Sequence, residues 1–161
     1  MPAAEEGGEA APEKTLNGRG RPRLAWHPGV IAVIAAGGAL GASARYAIEH
    51  AMARAPLAFP WATLTINAAG SFLLGSFVVI SVERLAPHRY LRPFVATGLL
   101  GGFTTFSTFA VEEILLVDGG HITTAVAYLG ASLAGGLAAA WAGGGAARRL
   151  PQHWRHAGAV R

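Results

Sequence analysis

The chain has 161 residues, of which 52% are hydrophobic and only 14% are charged. Soluble domains carry about a quarter charged residues, so this composition is typical of a protein that lies in a lipid bilayer. The length leaves no room for a separate soluble catalytic domain beside the apolar segments. Because cysteine is absent, disulfides, thiolate metal sites and thiol nucleophiles are excluded.

The start of the chain is polar and rich in Gly, Pro, Ala and charge. It has too little apolar surface to offset the entropy lost on ordering, so we expect residues 1–28 to form a disordered basic tail. A cleavable signal peptide is not expected, because a long polar stretch comes before the first apolar segment.

Four apolar segments follow, and each is long enough to cross the hydrocarbon core of a bilayer, which takes about 20 residues. We predict four helices, at about 29–53, 62–82, 91–117 and 121–147. Together they form one transmembrane domain over residues 29–147, and residues 148–161 form a basic C-terminal tail. The sequence therefore predicts an all-α integral membrane protein with four transmembrane helices.

The basic residues indicate the orientation of these helices. With four crossings, the N-terminal tail, the loop between the second and third helices and the C-terminal tail share one side of the membrane. That side carries eleven of the thirteen lysine and arginine residues. By the positive-inside rule, both termini are expected in the cytoplasm, in a multi-pass protein of the cell inner (plasma) membrane. The net charge of +4 is thus a topology signal, and no nucleic-acid partner is expected.

Small and polar residues recur every four positions in the second helix, at Thr63, Asn67, Ser71 and Gly75. The fourth helix repeats this spacing at Tyr128, Ser132 and Gly136. Such stripes let membrane helices approach closely, and packing is their ordinary role. Asn67 differs, because a primary amide at membrane depth is costly without partners and can donate two hydrogen bonds to an anion or to water.

The third segment contains the stretch "LLGGFTTFSTFAVEE" at residues 99–113. Its two glycines each cost about 1 kcal/mol against Ala in a helix, and its threonine and serine hydroxyls compete for backbone hydrogen bonds. We therefore predict that the helix breaks near residues 101–105. In lipid, the freed carbonyls must face protein, water or an ion, and carbonyl oxygens suit a small cation.

Two aromatic rings follow the predicted break, at Phe106 and Phe109, one helical turn apart. Packing is the ordinary role of such a pair. The edges of aromatic rings carry positive charge density, however, so rings beside the hydroxyls of Ser107 and Thr108 can also receive a partly dehydrated anion. Since no fixed positive charge is involved, the anion can leave again.

Several of these strings together resemble the Fluc/CrcB family of fluoride channels. They are "GGFTTFSTF" at 101–109, "TINAAGSFLLG" at 65–75 and "GGALGASARY" at 37–46, with the Tyr128 and Ser132 pair. The resemblance covers roughly residues 30–145. It implies an antiparallel, dual-topology dimer that exports cytoplasmic fluoride passively through two pores at the dimer interface and so gives fluoride resistance. It also implies a structural sodium ion at the dimer centre, held by the backbone carbonyls of Gly101 and Thr104.

The same resemblance assigns the other site residues. It implies that each pore is lined by Asn67, Phe106, Phe109, Ser107, Thr108, Tyr128 and Ser132. Arg45 corresponds to an arginine near the vestibule, and Glu112 corresponds to an acidic residue at the end of a polar track. The expected partners are the fluoride ion, membrane lipid and a second subunit.

The identity of that second subunit is a separate question. Insertion of one chain in both orientations requires a weak bias in its basic residues, whereas the bias here is strong. We therefore expect this chain to insert in one orientation and to pair with an oppositely oriented homologue. A homodimer remains the alternative if the arginines of the tails have little effect on the orientation of insertion.

Two other functions compatible with four apolar helices stay open at this point. A small multidrug-type proton-coupled antiporter needs a carboxylate within the membrane, for which Glu112 and Glu113 are the candidates. A non-transporting membrane subunit needs only the small-residue faces, but it leaves Asn67 unexplained. An enzyme is not expected, because the six histidines lie at helix ends or in the tails without metal-ligand spacing.

Overall fold

The computed structural model describes residues 27–52, 55–83 and 88–150, and the regular structure in these ranges is helical. Its elements are α1 (Pro28–Ala51), α2 (Trp61–Glu83), a π-helical segment (Pro93–Leu100), α3 (Gly101–Phe103), α4 (Phe106–Asp118) and α5 (Ile122–Arg149). The π-helical segment, α3 and α4 follow one another and together form the third long apolar element.

Four elements are long and apolar enough to span a membrane, as the composition predicts. They are Pro28–Ala51, Trp61–Glu83, Pro93–Asp118 and Ile122–Arg149. Many of their large apolar side chains are exposed, including Leu137 at 75% and Trp141 at 82%. A surface of this kind suits contact with acyl chains or with another apolar subunit.

The predicted tails fall almost entirely outside the described residues. Of the N-terminal tail only residues 27–28 are described, and Pro28 already belongs to α1. Of the C-terminal tail residues 148–150 are described, because α5 continues to Arg149. Most of the basic residues that indicate the orientation therefore lie outside the described ranges.

Helix α1 packs closely against the third span because glycine removes side chains at the contact. A Cβ atom built on Gly37 would lie 2.5 Å from the carbonyl oxygen of Phe94. One built on Gly102 would lie 2.5 Å from the carbonyl oxygen of Gly38, and one on Gly41 would overlap Leu99. The two backbones are thus in direct contact, which membrane helices achieve through small residues.

A second close pair joins α2 and α5. A Cβ atom on Gly75 would overlap the carbonyl oxygen of Ala140, and one on Gly143 would overlap that of Phe72. The hydroxyl oxygen of Ser76 lies 2.9 Å from the Phe72 carbonyl and 3.0 Å from the Gly143 carbonyl. This contact places the stripe of small and polar residues on α2 next to the corresponding stripe on α5.

Helix α4 completes the bundle by packing on α5. Leu116, Ala125 and Tyr128 are buried together there, and Phe59, Leu64 and Phe109 pack around them. This cluster holds α4 against α5. It therefore fixes the position of the last helical part of the third span, which begins at Phe106.

The glycine contact between α1 and the third span generates a test with a matched control. We expect Gly41→Ala to lower the stability of the protein by about 1–3 kcal/mol, because the added methyl group meets rigid backbone. Gly130→Ala introduces the same methyl group in α5, where no described heavy atom lies within 4 Å apart from the backbone of the same helical turns and the neighbouring residues. Thermal unfolding in detergent, followed by size-exclusion chromatography, measures both. Equal midpoints for the two variants would contradict the close contact.

Candidate functional site

The site begins at the interruption of the third span. Helix α3 ends at Phe103 and α4 begins at Phe106, and the two residues between them have extended backbone. Thr104 has φ −76° and ψ 158°, and Thr105 has φ −144° and ψ 120°. These two residues lie inside the stretch 101–105 where glycines and hydroxyls weaken the helix.

Thr105 forms the N-cap of α4. Its hydroxyl oxygen accepts a hydrogen bond from the Thr108 backbone N–H at 3.1 Å and donates to the Thr108 hydroxyl at 2.9 Å. The Ser107 hydroxyl lies 3.3 Å away. The side chain of Thr105 thus supplies an acceptor for the start of α4, which suits its buried position.

Asn67 of α2 binds the same residue from the other side. Its Nδ2 donates to the Thr105 carbonyl oxygen at 2.9 Å, and its Oδ1 accepts from the Thr105 N–H at 2.9 Å. An extended residue presents its N–H and C=O on the same side, so one carboxamide reaches both. One of the two N–H groups of the Asn67 amide remains after these bonds.

These bonds take donors away from the helical ladder. In a continuous α-helix, the Gly101 carbonyl would accept from the Thr105 N–H, and the Thr104 carbonyl would accept from the Thr108 N–H. Here Asn67 accepts the first N–H and the Thr105 hydroxyl accepts the second. The two carbonyl oxygens are therefore released from their α-helical donors.

Arg45 of α1 also contacts the interruption. Its Nε donates to the Gly102 carbonyl oxygen at 3.3 Å, and its Nη1 forms an ion pair with Glu49 at 3.3 Å. The resemblance implied a vestibule arginine at this position, and the structure places the guanidinium against the backbone beside the interruption.

A groove of about 370 Å³ opens next to the interrupted backbone. Six of the predicted site residues line it, namely Asn67, Gly101, Thr104, Phe106, Phe109 and Ser132. The groove is also lined by Thr105 and Ser71, which were not predicted as site residues. The Ser132 hydroxyl oxygen is buried and has no hydrogen-bond partner among the described residues.

The two phenylalanines occupy different environments at this groove. Phe106 is 79% exposed, whereas Phe109 is half-buried. Their ring centroids lie 5.8 Å apart, and Phe109 packs on Tyr128 with a centroid distance of 5.1 Å. Phe109 is therefore held by the core, while Phe106 presents its ring at the surface of the chain.

The other predicted site residues lie beside the groove rather than on its wall. Tyr128 is fully buried behind Phe109, and its hydroxyl donates to the Glu112 carboxylate at 2.8 Å. Ser107 and Thr108 lie in the first turn of α4 and bond to the Thr105 hydroxyl. Glu112 lines a separate groove of about 400 Å³ beside the segment that connects α1 and α2.

Thr105 was missed by the sequence reasoning, although a signal was present. A threonine directly before a run of helix-compatible residues is a typical N-cap, and the predicted break made an extended residue necessary at this point. The hydroxyl run obscured the signal, because any of its four members could have taken the capping position.

Comparison with known proteins identifies the family. A profile described as "CrcB-like protein, Camphor Resistance (CrcB)" matches residues 32–144, which is more than half of the chain. The chain belongs to the CrcB-like family. This result confirms the resemblance seen in the sequence.

Members of this family with similar sequences include proteins named as fluoride-specific ion channels. FluC 2 of Streptomyces avermitilis is 44% identical over 135 residues, covering 83% of this CrcB-like chain and 84% of the relative. FluC 1 of Streptomyces coelicolor is 45% identical over 126 residues, covering 78% and 81%. FluC of Saccharophagus degradans is 47% identical over 100 residues, covering 62% and 75%.

The cap of α4 can be tested in this CrcB-like protein by replacing one hydroxyl group with a methyl group. We expect Thr105→Val to lower the stability by about 1 kcal/mol, because the Thr108 N–H loses its acceptor while the shape of the side chain is kept. Thr105→Ser keeps the hydroxyl and is the matched control. Thermal unfolding in detergent compares the two variants. A valine variant as stable as the serine variant would show that the Thr105 cap does not stabilise the protein.

Proposed function

We propose that this chain forms a fluoride-selective ion channel that exports cytoplasmic fluoride passively. The observation that carries the proposal is the groove at the interrupted third span, where an amide, a hydroxyl and two aromatic rings meet in a member of the CrcB-like family. Relatives of similar sequence named as fluoride-specific channels favour this function over the antiporter and the packing subunit.

The chemistry of the groove suits a small, strongly hydrated anion. Fluoride gives up water only where short hydrogen-bond donors replace it, and the remaining N–H of Asn67 is such a donor. The hydroxyl of Ser132, which has no partner among the described residues, lies buried in the wall of the same groove. The ring edges of Phe106 and Phe109 add positive charge density. The described residues that line the groove carry no charge, so fluoride is not trapped there.

A second subunit would complete each pore. The groove opens to the surface of the chain, and Phe106 is 79% exposed beside it. In an antiparallel dimer each subunit contributes its groove to the interface, which gives two pores. This arrangement is the antiparallel dimer that the sequence resemblance implies.

A sodium ion at the interruption fits the donor set. Sodium takes hard oxygen ligands, and the Gly101 and Thr104 carbonyls are those released from their helical donors by the bonds of Thr105. In the proposed dimer these two carbonyls, one pair from each subunit, would hold the ion. When bound, the ion supplies positive charge that offsets the loss of water from the anion.

The proposed physiological role needs no energy source in the protein. Hydrogen fluoride crosses membranes from an acidic medium, dissociates in the neutral cytoplasm and leaves fluoride behind. A channel then lets the anion flow out down its gradient, which gives fluoride resistance. We place the protein in the inner (plasma) membrane with both termini in the cytoplasm.

Fluoride efflux from liposomes tests the function directly. With the wild-type chain and its partner subunit present, we expect rapid efflux of fluoride, measured with an ion-selective electrode, and no efflux of chloride. Phe106→Ile should lower the fluoride rate at least about tenfold, because it removes a ring edge from the groove.

The control for this variant is Phe77→Ile, which makes the same change in α2 away from the groove and should retain the wild-type rate. Chloride efflux equal to fluoride efflux would contradict a fluoride-selective pore. A wild-type rate of fluoride efflux in Phe106→Ile would show that this ring does not contribute to the pore.

The partner subunit is tested by reconstituting this chain alone. We propose an oppositely oriented homologue as the partner, because eleven of the thirteen basic residues lie on one side. Liposomes with this chain alone should then be silent, and addition of a homologous chain from the same genome should start the flux. Fluoride efflux from the single chain, or reporter fusions that show equal inside and outside populations, would establish a homodimer instead.

A further inference from the structure

We propose that Asn67 is a positioning residue, which holds the third span in its interrupted form by binding both backbone groups of Thr105. This role is distinct from that of an amide that donates to the transported ion. The hydrogen bonds between Asn67 and Thr105 involve protein atoms alone and do not depend on what the protein transports. Only the expected effect on fluoride transport rests on the proposed function.

The geometry at Thr105 is that of a single residue of a β-ladder. Its φ of −144° and ψ of 120° are β-strand values, and its N–H and C=O are both bonded at 2.9 Å. The partner, however, is not a strand but the carboxamide of Asn67, which offers one donor and one acceptor on one edge. Thr105 is 7% exposed, so water has little access to replace these bonds.

Asn67 competes directly with a continuous helix for the Thr105 N–H. A straight third span would give this N–H to the Gly101 carbonyl. Because Asn67 Oδ1 accepts it instead, the same hydrogen bond that holds the extended residue also releases the Gly101 carbonyl. The acceptor atom of the amide, rather than its donor, is therefore the atom that decides between the two backbone forms.

Other contacts hold the two sides of the interruption but cannot substitute for Asn67. Arg45 donates to the Gly102 carbonyl from α1, and the Thr105 hydroxyl is committed to Thr108 at the start of α4. Neither group is an acceptor for the Thr105 N–H. The position of Asn67 is fixed in turn by the close packing of α2 on α5, so the amide is held in place before any ion arrives.

Hydrogen exchange at the Thr105 amide, measured by NMR on selectively labelled protein in lipid nanodiscs, tests the proposal. We expect slow exchange in the wild type without fluoride or sodium, and exchange at least about tenfold faster in Asn67→Ala, since one hydrogen bond is lost. Asn67→Asp keeps an acceptor for this N–H and should stay close to the wild type.

The matched control is Ser71→Ala, which alters the same groove one helical turn away. It should leave Thr105 exchange unchanged. If Asn67→Ala does not fold, Asn67→Thr is used, because its shorter side chain does not bring an amide to Thr105. Exchange in the alanine or threonine variant within about twofold of the wild type would overturn the proposal.

Transport measurements separate this role from ion donation. Under the positioning role, Asn67→Ala raises the sodium concentration needed for half-maximal fluoride flux, and high sodium restores part of the rate. A lowered rate with an unchanged sodium dependence would assign Asn67 to fluoride alone and overturn the proposal. If the wild type carries no fluoride, the proposed function fails, while the exchange experiment still decides the role of Asn67.

Discussion

The architecture depends on one constraint, which is that a backbone N–H or C=O in hydrocarbon must find a partner within the protein. The third span departs from helical hydrogen bonding at Thr104 and Thr105, and two other elements compensate. Asn67 of α2 binds both backbone groups of Thr105, and Arg45 of α1 binds the Gly102 carbonyl. The interruption is therefore a supported feature of the bundle rather than a local failure of helix propensity.

The glycine contacts make this support possible. The side chain of Arg45 reaches the interruption because α1 lies in backbone contact with the third span at Gly41. On the other side, contact of α2 with α5 at Gly75 and Gly143 places Ser132 on the same groove as Asn67. Small residues that contribute no chemistry of their own thus bring the polar groups within reach of one another.

Much of this could be predicted from the sequence because the signals are local. Four long apolar runs predict four spans, and the Gly-Gly pair followed by hydroxyl residues predicts the weak point of the third. The partner of that weak point was not predictable, since Asn67 and Thr105 are 38 positions apart and only packing brings them together. For the same reason the burial of Tyr128 behind Phe109 was not foreseen, because a polar stripe does not show which members face a neighbour.

The open groove has a consequence for how the protein is made. In the proposed dimer the second subunit covers the groove, whereas a newly inserted subunit without a partner would expose the groove and the ring of Phe106 to acyl chains. Polar groups without hydrogen-bond partners are costly in hydrocarbon, so a single subunit would be less stable than the proposed dimer. For the proposed pair of oppositely oriented subunits, the open groove of about 370 Å³ would thus favour matched synthesis of the two chains.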